Sequence, residues 1–223
     1  MPFPERYRDR AQAGEILAQA LKDRAARRPL QDPLVLALPR GGVPVAVPVA
    51  QALDAPLDLL FVRKIGAPGQ PEFAIAAVVE GAEDAVVTNP EITDGLRVPE
   101  GWLEEGRVRA ITEIARQRAA YCAGRPRLPV RDRSVIIVDD GVATGTSLFA
   151  AIAALHRQNP RDITVCVPVA PPETLVRLRE AVDHVICPLA PRLFQAVGFF
   201  YDDFHQIEDD EVSAVLARPQ RRS

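Results

Sequence analysis

Lysine is nearly missing from this 223-residue chain, where Lys22 and Lys64 stand beside a large excess of arginine. Cysteine is scarce too. Cys122, Cys166 and Cys187 are odd in number and widely spaced, which supplies neither a disulfide framework nor a CxxC metal knuckle; reduced thiols filling the core are expected. No apolar run reaches membrane-spanning length before Pro or Asp cuts it, and the start, Met1-Pro2-Phe3-Pro4-Glu5-Arg6, lacks the apolar centre of a secretory signal. A cytoplasmic protein without a membrane partner is therefore expected. Positive charge is not in excess either. Lys+Arg total 27 against 30 Asp+Glu, a net charge of -3, so no overall field draws the chain to nucleic acid. The GxxxxGK[ST] loop of nucleoside triphosphatases is also missing.

What is present is ordinary globular material: 48% hydrophobic and 26% charged residues leave disorder and coiled coil as poor readings. The length suits a single domain over residues 1–223 that buries about 70% of its unfolded surface. Apolar Ile16, Leu17, Ala20 and Leu21 recur at helical spacing, predicting a helix over about 5–27 that stops at Pro29. Leu34–Leu38 is a short apolar run ending in Pro39-Arg40-Gly41-Gly42, and Val43–Leu53 opens as a helix with Pro44 in its first turn.

A second buried strand is expected at Leu57–Val62, a Gly- and Pro-rich loop at Lys64–Pro71, and a strand pair at Phe73–Val79 and Ala85–Thr88. From about 90 to 130 the pattern changes to an insertion carrying a charged surface helix, Trp102–Tyr121. Strands at Val135–Val138, Ile163–Val169 and His184–Cys187 then alternate with helices at Ser147–His156 and Leu175–Ala181. Buried strands alternating with helices predict an α/β fold, a parallel sheet flanked by helices that binds ligands at the strands' carboxyl ends.

The chemistry concentrates in Val135-Ile136-Ile137-Val138-Asp139-Asp140-Gly141-Val142-Ala143-Thr144-Gly145-Thr146-Ser147. A buried strand delivers two adjacent carboxylates to the sheet edge, and small residues and hydroxyls follow at a helix start. Amides at a helix N-terminus attract phosphate, glycines permit close approach, and Thr144, Thr146 and Ser147 add donors. The two carboxylates suit vicinal sugar hydroxyls or a hydrated Mg²⁺. An Asp pair that merely caps the next helix would need neither the second acid nor the run of hydroxyls.

This segment resembles the phosphoribosyl pyrophosphate motif of the type I phosphoribosyltransferases, and Pro39-Arg40-Gly41-Gly42 resembles their pyrophosphate loop. The resemblance covers most of the chain. With VRKIGAPG and VGFFYDDF, it is nearest to a group of bacterial phosphoribosyltransferases that carry a helical insertion. It implies the type I fold with a C-terminal hood over about 188–215, and Mg²⁺ and phosphoribosyl pyrophosphate as ligands. Asp139 and Asp140 would hold the ribose hydroxyls, directly or with Mg²⁺ through water. Ala143, Thr144, Gly145, Thr146 and Ser147 would cradle the 5-phosphate, with Gly141 and Val142 also among the substrate-binding residues.

Arg40, Gly41 and Gly42 would face the pyrophosphate, with Arg63 and Lys64 assisting from a mobile loop. Arg40 and Lys64 are the candidate catalytic residues. The resemblance also implies a cis bond between Pro39 and Arg40. The implied activity is transfer of the phosphoribosyl group to a nitrogenous base or related small acceptor with release of pyrophosphate; a homodimer is an admissible assembly. Phe199, Phe200, Tyr201, Asp202 and Asp203 fall where the family's hood meets the acceptor, although aromatics there also serve to pack the hood. His205 lies in the same segment. The rival reading is a non-catalytic regulator that keeps the donor site. A third would pass the group to a nucleophile other than a base. The leaving-group machinery favours the enzyme, because fold alone does not fix function.

Overall fold

A computed structural model describes residues 5–81, 86–88, 98–123 and 125–217. Chain order gives α1 Arg10–Arg27, β1 Leu34–Ala37, α2 Gly42–Leu53, β2 Leu57–Leu59, β3 Val62–Ala67, β4 Gln70–Val79 and β5 Val86–Thr88. There follow α3 Trp102–Cys122, β6 Ser134–Val138, α4 Thr146–His156, β7 Asp162–Cys166, α5 Pro172–Ala181, β8 His184–Ile186, a 3-10 turn Val197–Phe200 and α6 Asp209–Ala217.

The five-stranded sheet is parallel in the order β2-β1-β6-β7-β8. Its central strands β1 and β6 are fully buried and rich in Val, Ile and Leu, as strands covered on both faces must be. Alternation splits them between two cores. Val35, Ala37, Ile136 and Val138 pack with α1 and α2 on one face; Leu34, Leu36, Val135 and Ile137 pack with α4 and α5 on the other. The order reverses between β1 and β6, so a crevice opens between their carboxyl ends, the place where open α/β sheets bind ligands. Leu38 N–H donates to the Val138 carbonyl at 2.9 Å, which holds the loops after β1 and β6 side by side.

The first helix begins at Arg10 because the Asp9 carboxylate accepts the Gln12 N–H at 2.8 Å; the preceding Tyr7 instead bridges Tyr201. The strand expected at Leu57–Val62 divides. Leu57–Leu59 stays in the parallel sheet, and from Val62 the chain enters a separate antiparallel sheet, β3-β4-β5.

The expected loop at Lys64–Pro71 is a correction: residues 62–67 and 70–79 form a hairpin. Gly69, at φ 73°, makes its turn, while Gly66 lies at a register shift, the place where a strand glycine marks a bulge. Glycine and proline signal both loops and bulged hairpins, and here Ile65 and Ala67 bury one face of the strand. The expected Ile163–Val169 strand also ends early, at Cys166, although Val169 bridges Leu189.

The helix of the insertion is less superficial than expected. Gly106, Ala110, Ile114, Tyr121 and Cys122 are buried as α3 packs on the hairpin and on α6. Arg118 fastens it to the core through buried Asp58 at 3.3 Å and through Glu80. Residues 89–97 of the insertion, Ala85 of the expected strand and the first four residues lie outside the described residues.

Candidate donor site in the crevice

Burial of β6 ends at Val138, and the next two residues turn their carboxylates to the crevice, half-buried. Gly41 and Gly42 press against them from the β1 side. A Cβ on Gly41 would lie 2.1 Å from an Asp140 carboxylate oxygen, and one on Gly42 would lie 2.6 Å from the Val138 carbonyl oxygen. Any side chain there would fill the crevice. The Pro39-Arg40 peptide is cis, as the resemblance implies.

Asp140 is not the open carboxylate that a strand end suggests. Arg10 Nε donates to its Oδ2 at 2.9 Å, with side-chain exposures of 8% for Arg10 and 15% for Asp140. The same guanidinium donates to the His205 carbonyl at 2.8 Å and lies 3.9 Å from the centre of the Phe204 ring. The Tyr201 hydroxyl donates to the Asp140 carbonyl at 2.6 Å. Burial raises both carboxyls above the usual range; the Asp140 charge adds to this at Asp139, whereas Arg10 opposes it at Asp140.

The loop then runs to α4 without a side-chain cap. Gly145 is the N-cap residue and offers no oxygen to the first-turn amides, which therefore remain available to an anion. Ala143, Thr144 and Thr146 are exposed, and the two threonine hydroxyls stand 3.3 Å apart. Buried Thr174 supports the loop, its hydroxyl donating to the Ala143 carbonyl at 2.7 Å. Val142 N–H donates to the Val169 carbonyl at 2.9 Å.

Arg40 leans away toward the hood, where its Nη1 is 3.4 Å from Asp209 and 3.8 Å from Glu208. Tyr121 also donates to Asp209, at 2.6 Å; burial and this carboxylate push its phenol up to about 12. Arg63 and Lys64 stand on the hairpin beside the insertion helix, with Arg63 3.6 Å from Glu113. The structure thus brings the Arg40–Gly42 loop beside residues 139–147 in one crevice, and sets Arg63 and Lys64 apart from it, on the hairpin facing the insertion helix.

Sequence reasoning missed Arg10, Tyr7, Thr174 and Asp209. Tyr7 ties the N-terminal segment to the hood through its bridge to Tyr201 and to the segment after β7 through its hydroxyl, which donates to the Pro168 carbonyl at 2.7 Å. None of these residues belongs to a local motif. Among the hood aromatics, Tyr201 is core and Phe200 stacks on Phe194, while Phe199 is 61% exposed. His156 contacts the Ala181 carbonyl and His184 contacts Arg28, away from the crevice. Cys122 and Cys166 are buried and all three thiols are free. Burial pushes Cys166 and Cys187 up to about 12.

A parallel sheet with a carboxylate pair and an uncapped helix start at its switch point defines an α/β protein with a candidate ligand crevice at the strands' carboxyl ends. Comparison with known proteins agrees. The phosphoribosyl transferase domain family matches residues 7–202, and this chain belongs to that family. A Mycobacterium tuberculosis protein (strain CDC 1551 / Oshkosh), provisionally named a phosphoribosyl transferase, is 38% identical over 215 residues, 96% of this chain and 47% of its own. The chain therefore spans about half the length of that curated relative. A uracil phosphoribosyltransferase of Pediococcus pentosaceus is 31% identical over 115 residues, 48% of this chain and 54% of its own. A crystal structure of a Thermus thermophilus protein superposes with a TM-score of 0.80 at 41% identity, covering 95% of this chain and 97% of that one. Among the described residues, no helix is long and apolar enough to cross a membrane.

Proposed function

We propose that this chain transfers the 5-phosphoribosyl group of phosphoribosyl pyrophosphate to a small nitrogenous acceptor and releases pyrophosphate. The observation that carries the reading is the crevice itself, in which Asp139 and Asp140 face Gly41 and Gly42 beside the uncapped start of α4. The carboxylates hold the ribose hydroxyls. Residues 143–147 hold the 5-phosphate with amides and hydroxyls, and the Arg40–Gly42 loop meets the pyrophosphate. Arg63 and Lys64 bring further cationic charge from the hairpin.

The residues fit Mg²⁺ carried in with the donor: two carboxylates meet in the crevice, and among the described residues no group of three or more His, Cys, Asp or Glu could hold a metal unaided. Mg²⁺ ordinarily takes one or two carboxylates plus substrate phosphates. When bound, it supplies neutralisation of the departing charge.

The anomeric carbon passes through an oxocarbenium-like state as the bond to pyrophosphate breaks, so the protein needs no nucleophile of its own. Its residues accelerate the step by fixing the ribose against the acceptor and by meeting charge that develops on the leaving oxygen. The Pediococcus relative named for uracil supports a nucleobase-type acceptor, placed under the hood near Phe199.

The test uses the full chain, phosphoribosyl pyrophosphate, Mg²⁺ and a panel of bases, with pyrophosphate release as the readout. Arg40→Ala and Lys64→Ala should lower turnover far more than donor affinity, because only interactions stronger in the transition state speed the chemistry. Donor binding without turnover on any acceptor would replace this reading with that of a donor-binding regulator.

A further inference from the structure

Between the hairpin and the insertion helix lies a cavity of about 350 Å³, outside the carboxylate crevice. That volume falls in the range of small-molecule sites. Among the described residues its wall carries Arg63, Lys64 and Arg109 and one carboxylate, Glu113; Arg109 also pairs at 3.6 Å with Glu105, both side chains being exposed. The one acid is already engaged: Glu113 binds Arg116 at 2.8 Å as well as Arg63. Lys64 has no ion-pair partner among the described residues, and the buried Arg63 Nε has no hydrogen-bond partner. The wall therefore holds more cationic than anionic groups, with Lys64 the unpaired one, and favours an anion.

The rest of the wall is of another kind. Ile65 and Ala110 are buried apolar residues, and Trp102 stands among them with its indole N–H donated to the Gly66 carbonyl at 3.0 Å. With that hydrogen bond satisfied, the ring offers the cavity only its apolar surface. Inorganic phosphate would answer the cations and leave this half uncovered, whereas an uncharged base would do the reverse.

We infer that the cavity is a second ligand site for a nucleoside monophosphate, with the phosphate on Arg63, Lys64 and Arg109 and the base against Trp102 and Ile65. Occupancy engages Arg63 and Lys64. If the proposed transfer reaction holds, a nucleotide of the product's type then withdraws both groups from the leaving pyrophosphate and slows turnover.

Trp102 is the only tryptophan of the chain, so its fluorescence reports on the cavity directly. Adenosine and uridine 5′-monophosphates, titrated into the full chain, should change that emission saturably, with adenosine and inorganic phosphate at least tenfold weaker. Arg109→Glu, with Arg109→Gln as the milder variant, should weaken the nucleotide at least tenfold. Asp140→Asn, at the crevice, should leave the Trp102 response unchanged. No saturable change in Trp102 emission would overturn the site, whatever heat the crevice contributes in calorimetry. Loss of binding in Asp140→Asn with retention in Arg109→Glu would move the nucleotide to the crevice and equally overturn it. Equal affinity for inorganic phosphate or for adenosine would remove the nucleotide assignment. Because these arms measure binding alone, they hold or fail independently of turnover. Where turnover is found, Arg109→Glu should keep the basal rate and lose inhibition by the nucleotide.

Discussion

Gly41→Ala tests the crevice with a single methyl group. Gly41 has φ -61° and ψ -36°, ordinary helical angles, so by propensity alanine there would stabilise the chain by up to about 1 kcal/mol. Space dictates the opposite result. The new Cβ would stand 2.1 Å from Asp140 Oδ2, 2.6 Å from its Cγ and 3.1 Å from Oδ1, so the carboxylate must leave. It cannot leave freely, because Oδ2 accepts the Arg10 Nε–H at 2.9 Å. Parting a buried pair costs about 3 to 5 kcal/mol. Set against the gain in propensity, the net loss is about 2 to 4 kcal/mol, read as a lower midpoint in urea by circular dichroism.

Asp140→Ala removes the three atoms nearest the added methyl, so Gly41→Ala in that background should be neutral or mildly stabilising. The double mutant would then show strong non-additivity. If Gly41→Ala is tolerated in the parent, or costs as much when Asp140 is already Ala, the carboxylate is not what glycine makes room for.

Four further outcomes are expected. Asp209→Asn removes a carboxylate 3.4 Å from Arg40; since exposed pairs are worth about 0.2 to 1 kcal/mol, donor affinity by calorimetry should rise about 1.5- to 5-fold, and a fall would show that Asp209 assists binding. Arg118→Ala leaves Asp58 and Glu80 without their buried partner and should cost about 3 to 5 kcal/mol in urea unfolding, whereas an unchanged midpoint would mean that the insertion is held by other contacts. Hydrogen bonds that the His205 ring donates to Asp203 and Glu211 raise its pKa above 6.5, so their contribution to stability is full below 6.5 and disappears as pH rises through the raised value; NMR should place the titration above 6.5 and Asp203→Asn should bring it down. Native protein should react slowly with a thiol reagent at neutral pH, because burial raises all three cysteines, and fast labelling would contradict their place in the core.

Local order made the sheet and the motif legible. Val135–Val138 is apolar at every position, so it could only be a strand covered on both faces, and Asp139-Asp140 followed by Gly, Thr and Ser had to fall where that strand ends and α4 begins. The same holds for Leu34–Leu38 and the glycines after it. Elements whose partners lie close in sequence, or whose periodicity is strong, carry their own evidence.

Tertiary structure decided what joins distant parts. Arg10 reaches Asp140 across 130 positions and Tyr7 reaches Pro168 across 161, separations over which no spacing rule operates. The hairpin at 62–79 was hidden because Gly66, Pro68 and Gly69 carry the same signal in a bulge and a turn as in a loop, and only the pairing of Ile65 with Ala76 distinguishes them. Whether Arg63 and Lys64 face the crevice or the insertion helix depends likewise on how the hairpin packs against α3. Side-chain type shows what chemistry a residue can perform; which other residue it performs it with is set by how the elements pack.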